Sequence, residues 1–249
     1  MLTRINFRDI GEIPLPGGRR IKKGLLYRSA VLQKLSSGDR RAIDNLGIRT
    51  VVDLRSVEEQ ERRPAKLPGE RRVSLPCNID RRTRDRLKPL FFKRNSNKKI
   101  IEVMDDVYAE MVDLMLEPLG ALFRLILDPV NLPMIIHCRA GKDRTGFAAA
   151  MIQRLLGADM KTIFDDYLRS NKFMSTQIKR GQWKLHLITA GFLPRGNLQA
   201  AFEVRQEYLQ TAFDRVDTKY GGVEGYFLKG GITIEELELI REKLLENPK

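Results

Sequence analysis

The chain has 249 residues, 42% hydrophobic and 31% charged, and a formal net charge of +13. That length can bury a proper core and that apolar fraction excludes wholesale disorder, while the longest uncharged runs, 129–138 and 185–194, fall short of the about 18 residues a membrane span needs. Two cysteines and two histidines give neither a disulfide framework nor a Cys/His zinc site, so no cofactor is expected.

The charge is uneven. Residues 1–99 hold 26 Lys/Arg against 11 Asp/Glu, a balance of +15, and residues 100–249 hold 19 against 21, a balance of −2. A basic half suits an acidic substrate or peripheral contact with an anionic membrane. Nucleic acid is disfavoured as a partner, because the cations lack aromatic interleaving and helix-turn-helix or zinc-finger spacing. The N-terminus lacks the apolar core of a secretory signal, so the expected place is the cytoplasm, with export by a route without such a signal left open. Oligomeric state is not legible.

Residues 5–30 are punctuated by Gly and Pro and read as short strands ending in Leu25-Leu-Tyr-Arg-Ser29. Ser36 or Ser37 precedes a short helix with Ile43 and Leu46 on its apolar side and Gly47 as its stop. Residues 48–54 are β-branched and apolar, a buried strand that delivers Asp53, Arg55 and Ser56 to its C-terminal end. Ligands of open α/β sheets bind at that end. Asp53 is therefore either a site residue or the cap of the next turn. Residues 73–75 read as another strand, followed by Cys77. Residues 78–99 are strongly basic and read as a charged loop, either solvated surface or a lid over an anionic substrate, with Phe91-Phe92 favouring something that packs.

Ile100, Met104, Val107, Met111 and Met115 form a helical stripe that reads as core, and Pro118 opens a second helix. Then comes the most informative stretch, Ile135-Ile-His-Cys-Arg-Ala-Gly-Lys-Asp-Arg-Thr-Gly146. A short apolar run precedes it, and Phe147, three alanines, Met151, Ile152, Leu155 and Leu156 follow it up to Gly157. The pattern predicts a strand, a tight loop and a helix whose N-terminus points back at the loop. Helix N–H groups and dipole favour a phosphate or a thiolate there. Cys138 and Arg144, six positions apart, can hold a tetrahedral anion between a sulfur and a guanidinium fork. A free thiol titrates near ~8.5, and helix termini and cations lower that value, so Cys138 reads as a thiolate nucleophile. Loop amides and Arg144 would hold the equatorial oxygens. Thr145 would donate to the sulfur, and Asp143 would protonate the leaving oxygen, with Asp53 as its rival. The chemistry is covalent catalysis through a phosphocysteine, with no metal required. The substrate-binding set is Arg139, Ala140, Gly141, Lys142, Thr145 and Gly146. Arg139 and Lys142 supply more cations than one phosphate monoester requires, which suits a multiply phosphorylated inositol lipid. Beyond Gly157, residues 159–169, 198–216 and 234–245 read as amphipathic helices, Thr233-Ile-Glu-Glu236 as a capping box and 220–225 as a glycine-rich connector. Trp183 and His186 read as structural.

Cys-x5-Arg followed by Thr, with His before the Cys, resembles the loop of the protein-tyrosine phosphatase superfamily. The fuller string, with Asn6-Phe-Arg-Asp-Ile-Gly11, Gly24-Leu-Leu-Tyr-Arg-Ser29, Val51-Val-Asp-Leu-Arg-Ser56 and Tyr220-Gly-Gly-Val-Glu-Gly-Tyr226, resembles its bacterial tyrosine/serine phosphatases. Glu12 departs from the family, which usually has a second glycine there. The resemblance implies one α/β phosphatase domain over 1–249, with a central mostly parallel sheet flanked by helices and a helical part from about 158. It implies action on phosphorylated proteins or phosphoinositides, and a buried His137 orienting the loop. It also puts Cys77 beside the catalytic pocket, where it could rescue an oxidised Cys138; an ordinary buried cysteine is the simpler reading. The alternatives are a sulfurtransferase carrying a persulfide on Cys138 and a non-catalytic phosphate reader. Asp143 and Arg144 argue against the first, the thiol against the second.

Overall fold

Short apolar runs carry the architecture of the computed structural model, which describes residues 5–33, 35–64, 71–175 and 195–246; Trp183 and His186 lie outside them. The strands are β1 (Arg8–Asp9), β2 (Arg20–Ile21), β3 (Leu26–Ser29), β4 (Thr50–Asp53), β5 (Arg71–Ser74), β6 (Met134–His137) and β7 (Leu245–Glu246). Five of them make one sheet in the order β1-β3-β6-β4-β5, and β2 pairs with β7. β6 is central and parallel to both β3 and β4, β5 is parallel to β4, and only β1 runs antiparallel within this sheet. The register puts Ser29 and Asp53 level with His137, so three strands end in one row immediately before Cys138.

The helices are α1 (Ser37–Asp44), α2 (Val57–Arg62), α3 (Asp80–Phe91), α4 (Asn97–Leu114), α5 (Leu116–Leu127) and α6 (Arg144–Leu155). They continue with α7 (Met160–Leu168), α8 (Arg195–Phe202), α9 (Gln206–Tyr220), α10 (Val223–Lys229) and α11 (Ile234–Leu244). Alternation along the strands separates two cores. Tyr27, Val51 and Ile135 pack with Leu32 and with Ile43 of α1. Leu26, Val52, Met134 and Ile136 face the larger core built with α4–α6 and the C-terminal helices. The α/β class expected from the sequence is the one observed. No helix among the described residues is long and apolar enough to cross a membrane.

Capping marks several boundaries. The Ser36 hydroxyl accepts the Asp39 N–H at 3.1 Å to open α1, and Gly47 takes φ 61° beyond its end. Thr233 and Glu236 form the expected capping box of α11. The stripe from Ile100 to Met115 is buried core. Three expectations need correction. The glycine-rich connector expected over 220–225 shrinks to a turn at Gly221 and Gly222, because both glycines take positive φ there and α10 already begins at Val223 and includes Gly225. Residues 80–91 of the basic segment are helix rather than loop, because Arg, Lys and Leu are good helix formers and Leu87, Leu90 and Phe91 supply an apolar face. The helix expected over 198–216 is broken. The Asn171 amide donates to the Val204 carbonyl and accepts its N–H, both at 2.8 Å, as a neighbouring strand would.

Candidate active site

The loop from Cys138 to Asp143 joins β6 to α6, as the spacing predicts. Its carbonyls are tied from outside. The Arg139 carbonyl accepts from the Val31 N–H at 3.2 Å. The Asn6 amide donates to the carbonyls of Ala140 (3.3 Å) and Gly141 (3.0 Å), and an Arg28 N–H donates to Gly141 at 3.0 Å. In a planar trans peptide the N–H points opposite to the carbonyl. The N–H groups of Ala140, Gly141 and Lys142 therefore face the inside of the loop, and none of them donates to a backbone acceptor among the described residues. Gly141 makes this close packing possible. It sits at φ 66°, and a Cβ there would lie 2.5 Å from the Ser29 carbonyl. Cys138, 2% exposed, opens this loop directly after β6.

Arg144 is the first residue of α6 and is buried. Its Nη1 donates to Glu59 Oε2 at 2.8 Å and to Asp80 Oδ2 at 2.6 Å, with longer contacts to the carbonyls of Leu54 and Cys77. Nε and Nη2 make no hydrogen bond with the described residues, which leaves two parallel donors of the fork unspent. Burial works against the guanidinium charge, but Cys138, Asp80 and Glu59 hold it charged, above its ordinary range. Glu59 also closes the capping box of α2 with Ser56. Burial opposes its charge too, yet Arg144 and the hydrogen bond with Asp80 keep it down at about 2. Burial raises Asp80; Arg144 pulls it back, and the Glu59 carboxylate beside it raises it again, to about 7. Two carboxyl groups thus flank one arginine with their proton affinities pushed apart, the usual setting for an acid beside a permanent anion.

Asp53 is also present, but spent. Arg55 holds both its oxygens at 2.6 to 3.0 Å, and His137 Nε2 lies 3.7 Å away. Burial would raise this carboxyl, but the Arg55 hydrogen bonds and nearby His137 keep it below its ordinary value. Burial lowers His137, which is neutral at pH 7 and 3.3 Å from the Cys138 carbonyl through Nδ1. Asp143 is half-buried, and its Oδ1 accepts from Tyr108 at 2.6 Å and from Lys142 at 2.9 Å. Burial raises the Tyr108 phenol well above its ordinary value, so it stays a donor. Lys142 is therefore committed within the loop, while Arg139 is exposed. The Thr145 hydroxyl is fully buried without a hydrogen-bond partner among the described residues; the bond to sulfur expected from the sequence is not formed here. Gly146 leaves room for Arg28 and Tyr167, 3.3 and 3.1 Å from a would-be Cβ.

Sequence reasoning missed Glu59, Asp80, Tyr108 and the polar group beneath the loop. In that group Asp166 receives Arg8 at 2.6 Å and Arg28 at 2.7 Å, with Gln153 at 3.3 Å, and all four side chains are buried. Burial would raise the Asp166 carboxyl, but Arg28 and Arg8 bring it to about 2. Asp166→Asn leaves two buried cations uncompensated, so denaturant titration should show about 3–5 kcal/mol of lost stability at pH 7. Because the folded value lies below the unfolded ~3.9, this stabilisation is complete above that value and disappears as pH falls towards about 2. A variant as stable as the wild type would show the charges are compensated elsewhere.

Cys77 is fully buried, and burial pushes its thiol up to about 12. A thiol held protonated is a poor partner for a sulfenic acid. Cys77→Ser should therefore recover from mild peroxide with dithiothreitol as completely as the wild type. Irreversible loss in the variant alone would show that Cys77 protects the site.

Comparison with known proteins supplies the family. The sequence profile described as the tyrosine phosphatase family matches residues 2–246. The triple specificity protein phosphatase PtpB of Mycobacterium tuberculosis is 30% identical over 269 aligned positions, covering 96% of each chain. A tyrosine-protein phosphatase of Nostoc commune is 24% identical over 225, covering 87% of this chain and 73% of that protein. An inositol diphosphatase of Saccharomyces cerevisiae is 42% identical, but over only 45 residues, 18% of this chain and 16% of the yeast protein. A profile that covers nearly the whole chain and a relative matched along nearly its full length show the family: this chain belongs to the tyrosine phosphatase family.

Proposed function

We propose that the protein hydrolyses phosphomonoesters through a phosphocysteine on Cys138, acting on phosphorylated proteins and on phosphorylated inositol lipids. The observation that carries this reading is the pairing of three inward amides with an arginine fork whose Nε and Nη2 are unspent. Together these donors match the equatorial oxygens of a phosphoryl group in transfer. Cys138 Sγ attacks phosphorus, the S–P bond forms and the ester P–O bond breaks. Asp80, raised to about 7, gives its proton to the departing oxygen. Water then attacks phosphorus, Asp80 takes its proton, the S–P bond breaks, and inorganic phosphate leaves with the thiolate restored. Glu59 holds Arg144 in place throughout. Asp53, with both oxygens held by Arg55, does not donate a proton, and Asp143, fixed by Tyr108 and Lys142, shapes the loop.

Release of inorganic phosphate from an aryl phosphate in excess chelator tests the reading against a persulfide carrier or a phosphate reader. Neither of those liberates phosphate. No release by the folded protein would overturn the proposal.

A further inference from the structure

Helix α3 joins the site to a surface that the reaction does not use. Its first residue, Asp80, bonds Arg144, and its inner side packs Leu87, Leu90 and Phe91 into the core. Its outer side and the corner after it expose Arg81, Arg82, Lys88, Lys93 and Arg94, with Phe92 60% exposed among them. These five cations have no ion-pair partner among the described residues. Nearby acids are already taken: Arg86 pairs with Asp106 and Glu110, and Arg62 and Arg84 with Glu58. Asp85 is the one exposed acid along this helix.

The corner is not a frayed end. The Asn197 amide reaches the carbonyls of Leu90, Phe91 and Lys93 at 3.0, 3.1 and 2.8 Å, and the Phe91 and Phe202 rings lie 6.1 Å apart. Its backbone is therefore pinned on both sides of Phe92, and the phenyl ring is held out among cations. An exposed aromatic ring ringed by Lys and Arg matches the water–bilayer boundary: the ring enters the headgroup layer while the cations meet anionic lipid.

We propose that the outer side of α3 and its corner dock the protein on anionic bilayers. Resting on the phosphatase reading, this surface brings lipid headgroups to the Cys138 loop. Twelve residues of helix span about 18 Å, so the docked corner and Asp80 stay within one short rigid element. The cations lie along one helix and its corner, not around a cleft, which favours a broad charged plane over a peptide. A lone exposed ring gives no series of stacking platforms for single-stranded nucleic acid.

The test is co-sedimentation with phosphatidylcholine vesicles with and without phosphatidylserine, comparing wild type with the triple variant Lys88→Gln, Lys93→Gln, Arg94→Gln and with Phe92→Ser. Cations near such a surface contribute about 1 kcal/mol each, so the triple variant should lose on the order of 10²-fold in binding. It should still hydrolyse a soluble aryl phosphate at the wild-type rate. Phe92→Ser should weaken binding while leaving its salt dependence unchanged. Equal wild-type binding to both vesicle types, no binding to either, or unimpaired binding by the triple variant would overturn the proposal. So would a triple variant that loses a soluble acidic phosphopeptide in place of the vesicles, which would assign the surface to a protein partner. Binding requires no turnover, so the aryl phosphate assay reports separately on the phosphatase reading.

Discussion

Cys138→Ser should abolish turnover while leaving phosphate binding intact. The serine keeps the amide ring and the Arg144 fork, so an inorganic phosphate or vanadate titration should give affinities near those of the wild type. What disappears is the nucleophile: a serine hydroxyl ionises far less readily than a thiol, and His137, with Nδ1 against the backbone carbonyl of position 138 and Nε2 on the Asp53 side, is not placed to take its proton. Arg144→Ala should also be severe, at least 10²–10³-fold in kcat/KM, because it removes donors aimed at the charge of the transition state. It also leaves Glu59 and Asp80 facing one another without the cation between them. Arg144→Lys should fail almost as badly, since a single ammonium cannot hold both carboxylates and present a fork to phosphate. Near-normal turnover by Cys138→Ser in a phosphate-release assay would remove the covalent mechanism altogether.

Asp80→Asn carries the second large effect. General acids contribute typically 10²–10⁴-fold, and the loss should approach that size on alkyl phosphates, whose leaving oxygen needs a proton. On an activated aryl ester the same variant should lose far less. Asp80 is an acid only while protonated, so with its carboxyl raised to about 7, wild-type turnover of alkyl phosphates should fall as pH rises through that value. The variant should lack that basic limb. Asp143→Asn should lose less and show no comparable dependence on leaving group, because its Oδ1 already accepts from Tyr108 and Lys142. If Asp143→Asn instead shows the steep dependence and Asp80→Asn does not, the proton donor lies in the loop itself.

The contrast between these aspartates shows what a linear sequence can disclose. Cys138, the amides and Arg144 lie within one loop, and the apolar runs on both sides dictate the strand and the helix that orient it. Their arrangement follows from local order alone. Glu59 and Asp80 meet Arg144 across 85 and 64 positions. Glu59 carries a local signal, Ser-x-x-Glu at the start of a helix, but that signal speaks only of capping. Asp80 reads as one more charge in a basic stretch. Its burial depends on α3 being a helix, and the charges that dominate 81–94 obscure the few apolar residues that dock it. The break at Val204 is equally hidden, since Asn171, which replaces the helical hydrogen bonds there, lies 33 positions earlier.

The polar group beneath the loop has a consequence for how the protein is made. Asn6 reaches Gly141 across 135 positions, and Arg8 reaches Asp166 across 158. On a translating ribosome, at about 5–20 residues per second, roughly 8–30 s separate the synthesis of Arg8 from that of its partner. Through that interval Arg8 and Arg28 have no carboxylate to enter the interior with, so they stay hydrated and the nascent N-terminal segment stays undocked. The loop carbonyls of Ala140 and Gly141 are likewise unheld until Asn6 arrives. Strands can pair and α1 can cap earlier, but the amide ring becomes an anion site only when the oldest and a much younger part of the chain meet over Asp166.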